Sequence, residues 1–210
     1  TGEGFVWLEK LGHTVIKNSY ALVPVALKDA WAKKLSGVTL TDIKLTVFQD
    51  GKKQGVKKGK VLFTHFGISG PTVLDMSNMI GELLEQGDVM IMLDLFPKHD
   101  HAELKKELQK LLIGESNKKI KNTLDALVPS GLVPALLALA WIDGETANHS
   151  VKKEERVRLV SLLKAVPLHV KGVLGADKAI VSAGGADLKE VDFKTMQSRL
   201  VPNLYIVGDA

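Results

Sequence analysis

The sequence predicts an α+β fold in which a β-rich subdomain is interrupted by an all-helical subdomain. Three observations support this prediction. Residues 38–63 have the alternation and turn residues of β-strands, residues 100–166 have helical spacing, and short β-prone stretches return after Pro167. Because the helical run lies between two β-rich stretches, with Pro97 and Pro167 at its borders, we interpret it as an insertion into one β subdomain.

Turn residues mark the predicted strands. Residues 38–48 alternate apolar and polar side chains, and the alternation changes phase near Asp42, as is typical of a β-bulge. Asp50-Gly51 predicts a two-residue hairpin turn, because both residues tolerate the positive φ that such turns need. Further strands are predicted at residues 61–63, 89–95, 168–174 and 179–182, and a buried strand of parallel type at residues 204–207.

Capping residues mark the predicted helices. Residues 5–11 form an amphipathic run that ends at Gly12, which suits a helix C-cap. Pro71 suits the first turn of a helix continuing over residues 73–84. Asp100 followed by Glu103 predicts a capping box that opens a helix through Leu112. Further helical spacing covers residues 118–128, 134–141 and 153–166.

The composition excludes several classes of protein. The 210 residues are 45% hydrophobic and 25% charged, an ordinary globular mixture that excludes disorder and collagen-like repeats. The absence of cysteine excludes thiol catalysis and disulfide scaffolds, and it fits a reducing compartment. No apolar run approaches the ~20 residues of a membrane helix. We therefore expect a cytoplasmic protein with no membrane partner.

The net charge of +4 comes from one hairpin, residues 50–60, which contains five lysines and one acidic residue. Outside it, basic and acidic residues are equal in number. One interpretation is a solvated lysine-rich hairpin; the other is a ribbon that binds RNA, DNA or a protein partner. The whole chain has only three arginines, the residue type favoured for bidentate phosphate and base contacts, so we do not expect nucleic acid as its main partner.

Gly67-Ile68-Ser69-Gly70 lies on a predicted strand–turn–helix and resembles a nucleophile elbow. That motif needs glycine two residues after the serine, where this chain has Pro71, so a serine hydrolase is not predicted. One remaining interpretation is a tight turn in which Ser69 or Gly70 caps the helix. The other is a helix N-terminus that faces an anion or a cofactor.

We predict no metal site and no complete nucleotide-binding loop. His99-Asp100-His101 has metal-ligand residue types, but neighbouring side chains at a helix start point apart. His13, His149 and His169 stand alone, and we interpret each as structural or exposed. G-x-G-x-x-G and G-x-x-x-x-G-K-[ST] are both absent from the sequence.

Two glycine-containing segments near the end of the chain together indicate a ligand-binding site. The segment at residues 182–185 (Ser-Ala-Gly-Gly) follows a short strand and would let a flat ligand approach the backbone. The segment at residues 207–209 (Val-Gly-Asp) ends the last predicted strand, where open α/β sheets place ligand contacts. A buried strand usually feeds a loop or helix, so we expect the chain to be a piece of a longer protein.

Several segments together resemble one flavoprotein family, the aminoacetone-oxidase-like group of NAD(FAD)-utilising dehydrogenases. The resemblance covers the whole chain. Its segments are residues 1–4, 11–14, 21–24, 62–71, 181–185, 194–202 and 204–209, of which 63–71 and 195–202 are the specific ones. The chain departs from the family pattern at Glu3, Ser182 and Ala186, where aspartate, threonine and valine are usual.

The resemblance implies that the β-rich subdomain is β-barrel-like, and that short edges of a Rossmann-type FAD domain lie at both termini. The implied parts are residues 1–18 as the end of the first portion of the FAD domain, 19–97 with 167–180 as the β-rich insert, 98–166 as the helical insert, and 181–210 as the start of the second portion. In the family, a G-x-G-x-x-G lies upstream of Thr1 and a glycine-rich flavin segment lies downstream of Ala210. We therefore expect these residues alone to bind little or no FAD.

The resemblance also implies a function and site residues. The full-length protein would be an FAD-dependent oxidoreductase that transfers hydride or electrons, with NAD(P)H as a candidate electron donor. Its implied partners are the rest of its own FAD domain and a small-molecule substrate. The implied cofactor-binding residues are Ser182, Gly184, Gly185, Gly208 and Asp209. The substrate-pocket candidates are His65, Ser69 and Gly70. The alternative function is a module that binds nucleic acid or a partner through the hairpin at residues 50–60.

Overall fold

Ten β-strands and eight α-helices form the regular structure of residues 3–175 and 181–207, the part that the computed structural model describes. The strands are β1 (Val15–Ala21), β2 (Val25–Leu27), β3 (Thr39–Gln49), β4 (Lys52–Thr64), β5 (Gly67–Ser69), β6 (Val89–Asp94), β7 (Val166–Val173), β8 (Val181–Ala186), β9 (Val191–Asp192) and β10 (Gln197–Ser198). The helices are α1 (Glu3–Lys10), α2 (Ala30–Lys33), α3 (Pro71–Leu74), α4 (Ser77–Leu84), α5 (His101–Gly114), α6 (Ile120–Leu124), α7 (Val133–Ala140) and α8 (Lys153–Lys164).

These elements form two compact units. The terminal unit consists of Thr1–Val23 and Leu174–Ala210, and the barrel unit of Pro24–Val173. The barrel unit contains a closed six-stranded barrel with the strand order β2-β5-β4-β3-β6-β7, in which every neighbouring pair is antiparallel. Apolar side chains fill its interior, among them the fully buried Leu27, Leu45, Phe63, Ile91 and Leu168. The predicted combination of a barrel with a helical subdomain is therefore confirmed.

The hairpin that joins β3 to β4 has the predicted geometry. Asp50 and Gly51 have φ values of 50° and 72°, and Gln49 pairs with Lys52, so the turn has two residues. The predicted bulge is also present, because the register shifts between Leu40 and Ile43. Asp42 within this bulge has a φ of 55°.

The region after β4 differs from the prediction in two respects. Residues 67–69 form the short strand β5 between β2 and β4, where the sequence indicated only a break. The single helix predicted over residues 73–84 is divided into α3 and α4. The hydroxyl of Ser77, the first residue of α4, donates to the carbonyl of Leu74, which satisfies one acceptor at the end of α3.

The helical subdomain comprises α5 to α8 and lies in the chain between β6 and β7. The capping box is confirmed, because an Asp100 side-chain oxygen accepts from Glu103 N–H at 2.8 Å and the Glu103 carboxylate accepts from Asp100 N–H at 2.9 Å. Leu104, Leu108 and Leu112 recur every four residues on the buried face of α5. They belong to one hydrophobic core that is continuous with the barrel interior.

The terminal unit contains α1 and two small antiparallel sheets, β1 with β8 and β9 with β10. Helix α1 ends at Lys10, and the chain turns away at Gly12, whose positive φ of 92° fits the predicted helix termination there. The buried strand predicted over residues 204–207 is wrong. Tyr205 makes only an isolated bridge to Gln197, and Tyr205 and Val207 are 57% and 71% exposed. Leu204 and Ile206 pack against the small cluster of Leu8, Ala186 and Val191, whereas Tyr205 and Val207 face outward, so the run is covered on one side only.

Candidate functional site

The three substrate-pocket candidates lie around β5 in the barrel unit. His65 is exposed in the turn before β5, and its ring meets the Phe66 ring edge-on with centroids 4.8 Å apart. Ser69 is the last residue of β5, is half-buried and pairs with Leu62 of β4. Gly70 follows as the N-cap of α3 with a φ of 97°. The predicted strand–turn–helix is therefore present.

Packing of the barrel explains the glycines of this segment. A Cβ atom on Gly67 would lie 2.3 Å from the carbonyl oxygen of Val25, because β5 and β2 approach closely there. A Cβ atom on Gly70 would lie 3.2 Å from backbone atoms of Leu62 and Lys60, in addition to its positive φ. Helix α3 has only four residues, so few peptide dipoles add up at its start. The glycine pattern thus indicates a barrel corner rather than an anion-binding helix terminus.

The cofactor candidates belong to the terminal unit. Ser182, Gly184 and Gly185 all lie in β8, which pairs with β1 through Ser182–Tyr20 and Gly185–Ile16. In the described residues, β8 has no strand neighbour on its other edge. A strand with two adjacent glycines and an open edge fits a flat group such as an isoalloxazine, because no Cβ atom blocks approach to its backbone. Gly208 and Asp209 lie outside the described residues.

A buried histidine network in the terminal unit was missed by the sequence analysis. His13 Nδ1 lies 3.0 Å from Glu190 Oε2, and His13 Nε2 lies 2.8 Å from Ser198 Oγ. The Ser198 oxygen also accepts from the N–H groups of Leu200 and Val201, at 3.1 and 2.9 Å. Because both lone pairs are used, the serine O–H donates to His13 Nε2, and the ring proton on Nδ1 goes to Glu190.

This network joins both chain segments of the terminal unit. The N–H of Thr14 also donates to Glu190 Oε2 at 2.9 Å. This bond, followed by the contact with His13, holds the pKa of the Glu190 carboxyl below its ordinary value.

Serine, histidine and a carboxylate in a row resemble a hydrolase triad. However, Ser198 is buried and its oxygen is fully engaged, so the arrangement is structural. No local pattern could have revealed it, because His13 and Ser198 are 185 positions apart.

The terminal unit exposes a large amount of apolar surface. On and after α1, Val6, Trp7 and Leu11 are 48%, 62% and 48% exposed. A shallow cavity of about 210 Å³ lies elsewhere in the unit. It is lined by Ala186, Leu188, Val191, Phe193, Met196, Ile206 and Val207. Exposed apolar surface on this scale is typical of a region that another structural element covers.

The described ranges contain neither a cluster of metal ligands nor a membrane-spanning helix. There, no group of three or more histidine or acidic side chains is placed to hold a metal ion. Asp100 is engaged as a helix cap, and His99 faces Glu107 at 3.6 Å. None of the helices in residues 3–175 and 181–207 combines the length and apolar character that a membrane span requires.

Comparison with known protein families identifies the barrel and its helical subdomain. The sequence model of the HI0933-like protein barrel and H2TH domain matches residues 20–181, which include the whole barrel unit. The chain belongs to the HI0933-like family. This family is of the FAD-binding flavoprotein type that the sequence resemblance indicated, so that prediction is confirmed.

Three curated relatives of this HI0933-like chain align over almost its full length. It is 28% identical over 209 residues to a 3-dehydro-bile acid delta(4,6)-reductase of Clostridium scindens, covering 99% of this chain and 51% of the relative. It is 28% identical over 206 residues to a ribosomal RNA dihydrouridine synthase of Escherichia coli, covering 98% and 49%. It is 30% identical over 208 residues to the protein of the same name from Haemophilus influenzae, covering 98% and 48%. The chain thus spans about half the length of these relatives.

Proposed function

We propose that this HI0933-like chain is the insert-bearing part of an FAD-dependent oxidoreductase that passes hydride or electrons through the flavin. The barrel and helical subdomains would cover the flavin and shape substrate access, and the 210 residues alone would be inactive. Family membership and the relative named as a reductase support this proposal. The observation that carries it is the exposed apolar surface of the terminal unit, which suits a domain completed by further chain.

The residues proposed to meet the cofactor are those that the resemblance implied. Ser182, Gly184 and Gly185 would lie near the isoalloxazine, and Gly208 with Asp209 near the ribitol and pyrophosphate. FAD, when bound, supplies the hydride or electron transfer. The backbone of residues 184–185 would orient the ring system by close approach. His65, Ser69 and Gly70 would face the substrate.

The test compares the protein from the complete reading frame with the 210-residue chain. We expect the complete protein to purify with flavin absorbance and to be reduced by NAD(P)H under anaerobic conditions. The 210-residue chain should carry little flavin. Gly185→Ala in the complete protein should lower the flavin content, because Gly185 has a φ of 123° and lies at the proposed contact. Gly114→Ala, at an open position of α5, is the matched control.

Two results would contradict this proposal. A complete protein that neither contains flavin nor takes it up on addition would remove its basis. A Gly185→Ala variant with full flavin content and an unchanged circular dichroism spectrum would contradict the assigned contact. An unfolded Gly185→Ala variant would be replaced by Asp209→Asn, for which we expect weaker flavin retention.

We propose RNA binding through the lysine-rich hairpin as a second candidate function. Two of the three relatives are named as enzymes that act on ribosomal RNA, and the hairpin carries the whole excess charge of the chain. The two functions are compatible, since an oxidoreductase acting on RNA needs both a flavin and a surface for the polyanion. A small-molecule reductase would need only the flavin.

A further inference from the structure

The two faces of strand β4 have different surroundings. Gly55 and Gly59 point toward the short helices, since a Cβ atom on Gly55 would lie 2.7 Å from Met79 Cε and one on Gly59 2.4 Å from Thr72 Oγ1. Lys57 is two residues away from each of these glycines, so it lies on the same face of β4 as Gly55 and Gly59. Helices α3 and α4 therefore cover the face of β4 that carries Gly55, Lys57 and Gly59.

The opposite, outward face of β4 carries Lys53, Lys58 and Lys60, which we call the lysine strip. Lys58 and Lys60 are two residues apart and thus share a face. Lys53 joins them because the register shift between Val47 and Phe48 places it opposite Phe48. All three lysines are exposed. The lysine strip lies on the face of the hairpin opposite to the one that α3 and α4 cover.

The lysines on the two faces of β4 also differ in whether they form ion pairs. Lys57, on the covered face, forms an ion pair with Asp75. Within the described residues, no carboxylate lies within 4.0 Å of Lys53, Lys58 or Lys60. The barrel unit thus neutralises the lysine beside its own helices and leaves the strip without protein counter-charges.

Cross-strand pairing adds to the positive potential of the strip. Lys58 lies directly opposite Lys44 of β3. Like charges in this arrangement destabilise a sheet. Lys44 has a partner, because its Nζ lies 3.2 Å from Asp94 Oδ2, whereas Lys58 has no carboxylate partner in the described part of the chain. An anionic ligand outside the hairpin would relieve this repulsion.

The neighbouring cavity does not share this charge imbalance. It measures about 290 Å³, and its lining includes Lys28, Asp50, Asp88 and His169. Lys28 pairs with Asp88 at 2.7 Å, and the contact holds the pKa of the Asp88 carboxyl below its ordinary value. The cavity therefore has no excess of lysine over carboxylate, and the uncompensated positive charge lies on the strip.

We propose that the lysine strip on the outward face of β4 binds the phosphate backbone of RNA. This inference rests on the second candidate function and specifies its surface. Lysines act on phosphates as point charges and lack the rigid fork by which arginine reads bases, so the contact positions RNA without selecting its sequence. Sequence selection would then depend on other parts of the complete protein.

The test measures RNA affinity of the complete protein against salt concentration. The probe is a fluorescein-labelled RNA stem-loop with about 16 base pairs, the span of one double-stranded RNA-binding domain. The strip variant carries Lys53→Gln, Lys58→Gln and Lys60→Gln. The control variant carries Lys105→Gln, Lys106→Gln and Lys110→Gln on exposed positions of α5, with the same change of charge. Thermal melting checks that both variants are folded.

We expect the strip variant to bind more weakly and its plot of log K against log salt to be shallower by about three, roughly one per phosphate-binding lysine. The control variant should keep the wild-type slope. Equal slopes for the strip variant and the wild type would overturn the proposal. Binding of the wild type to anionic lipid vesicles but not to RNA would overturn it as well. Flavin content is read separately, so loss of flavin with intact RNA binding would contradict only the flavin proposal.

Discussion

Lys164, the last residue of α8, forms a buried ion pair with Asp94, the last residue of β6. The Lys164 Nζ atom lies 2.8 Å from Asp94 Oδ2, and their side chains are 10% and 4% exposed. The same ammonium group donates to the carbonyl oxygens of Phe96 and His99, at 2.7 and 2.6 Å. One side chain thus fixes the position where the chain leaves the barrel and enters the helical subdomain.

Replacing Lys164 with methionine should strongly destabilise the barrel unit. Among the described residues, the buried Asp94 carboxylate would keep Lys44 as its one cationic partner, and the carbonyl groups of Phe96 and His99 would lose the ammonium donor. Loss of one partner from a buried pair typically costs about 3–5 kcal/mol. Urea unfolding would measure the change, with Lys110→Met on the exposed surface of α5 as the control. A cost below about 1 kcal/mol, the range of surface pairs, would contradict the role given to Lys164.

Replacing Ser198 with alanine should loosen the terminal unit. His13 Nε2 and the N–H groups of Leu200 and Val201 would lose their partner, and an unsatisfied buried group costs about 1–3 kcal/mol. Hydrogen exchange would detect this as faster exchange of the Leu200 and Val201 amides. Ser161→Ala on α8 should leave these amides unchanged. Unaltered exchange in the Ser198→Ala variant would show that the hydroxyl does not hold this turn.

Replacing Gly67 with alanine should disturb the pairing of β5 with β2. The added methyl would lie 2.3 Å from the carbonyl oxygen of Val25, so backbone must move. Overpacking of this kind typically costs about 1–3 kcal/mol. Gly114→Ala is the matched control, because nothing lies within 4 Å of its added Cβ at the end of α5. There the substitution should stabilise by about 0.4–1 kcal/mol. Similar melting temperatures for the two variants would refute this explanation of Gly67.

The stability of the helical subdomain should depend on Glu145 at acidic pH. Lys119 and Lys121 hydrogen-bond to its carboxylate and lower its pKa from 4.5 to about 2. Because the folded-state pKa is depressed, the contribution is complete above pH 4.5 and is lost as pH falls toward 2. Glu145→Gln should therefore flatten the fall of melting temperature over this interval, and Glu154→Gln should not.

Ionic strength provides the control for this pH dependence. The Glu145 side chain is 54% exposed, so added salt should screen its attraction to both lysines. The difference between the wild type and Glu145→Gln should shrink at high salt. A difference that does not respond to salt would mean that the pH dependence has another source.

Local chemistry explains which features the sequence could predict. The Asp50-Gly51 turn, the bulge at Asp42 and the Asp100–Glu103 capping box each depend on residues within a few positions of one another. Their backbone requirements are visible in the residue types themselves. The same holds for Pro71, which lies in the first turn of α3 as predicted.

Features that depend on distant residues could not be predicted in this way. Nothing near His13 indicates Glu190 or Ser198, and the role of Gly67 depends on the backbone of Val25 in another strand. The prediction of a buried strand over residues 204–207 was wrong for a related reason. Their composition indicates burial, but burial depends on which elements surround them.

The position of the helical subdomain affects how the barrel can fold. Strands β6 and β7 pair antiparallel, with Leu93 opposite Val166, although residues 94–165 separate these two partners. The N–H of Leu95 donates to the carbonyl of Leu163 at 2.9 Å, so the two ends of this stretch already meet within the folded subdomain. If the helices form first, the folded helical subdomain already holds the ends of β6 and β7 close together. Pairing these two strands then costs little further loop entropy. Barrel closure at this point would then proceed with the kinetics of a short hairpin rather than those of a long-range contact.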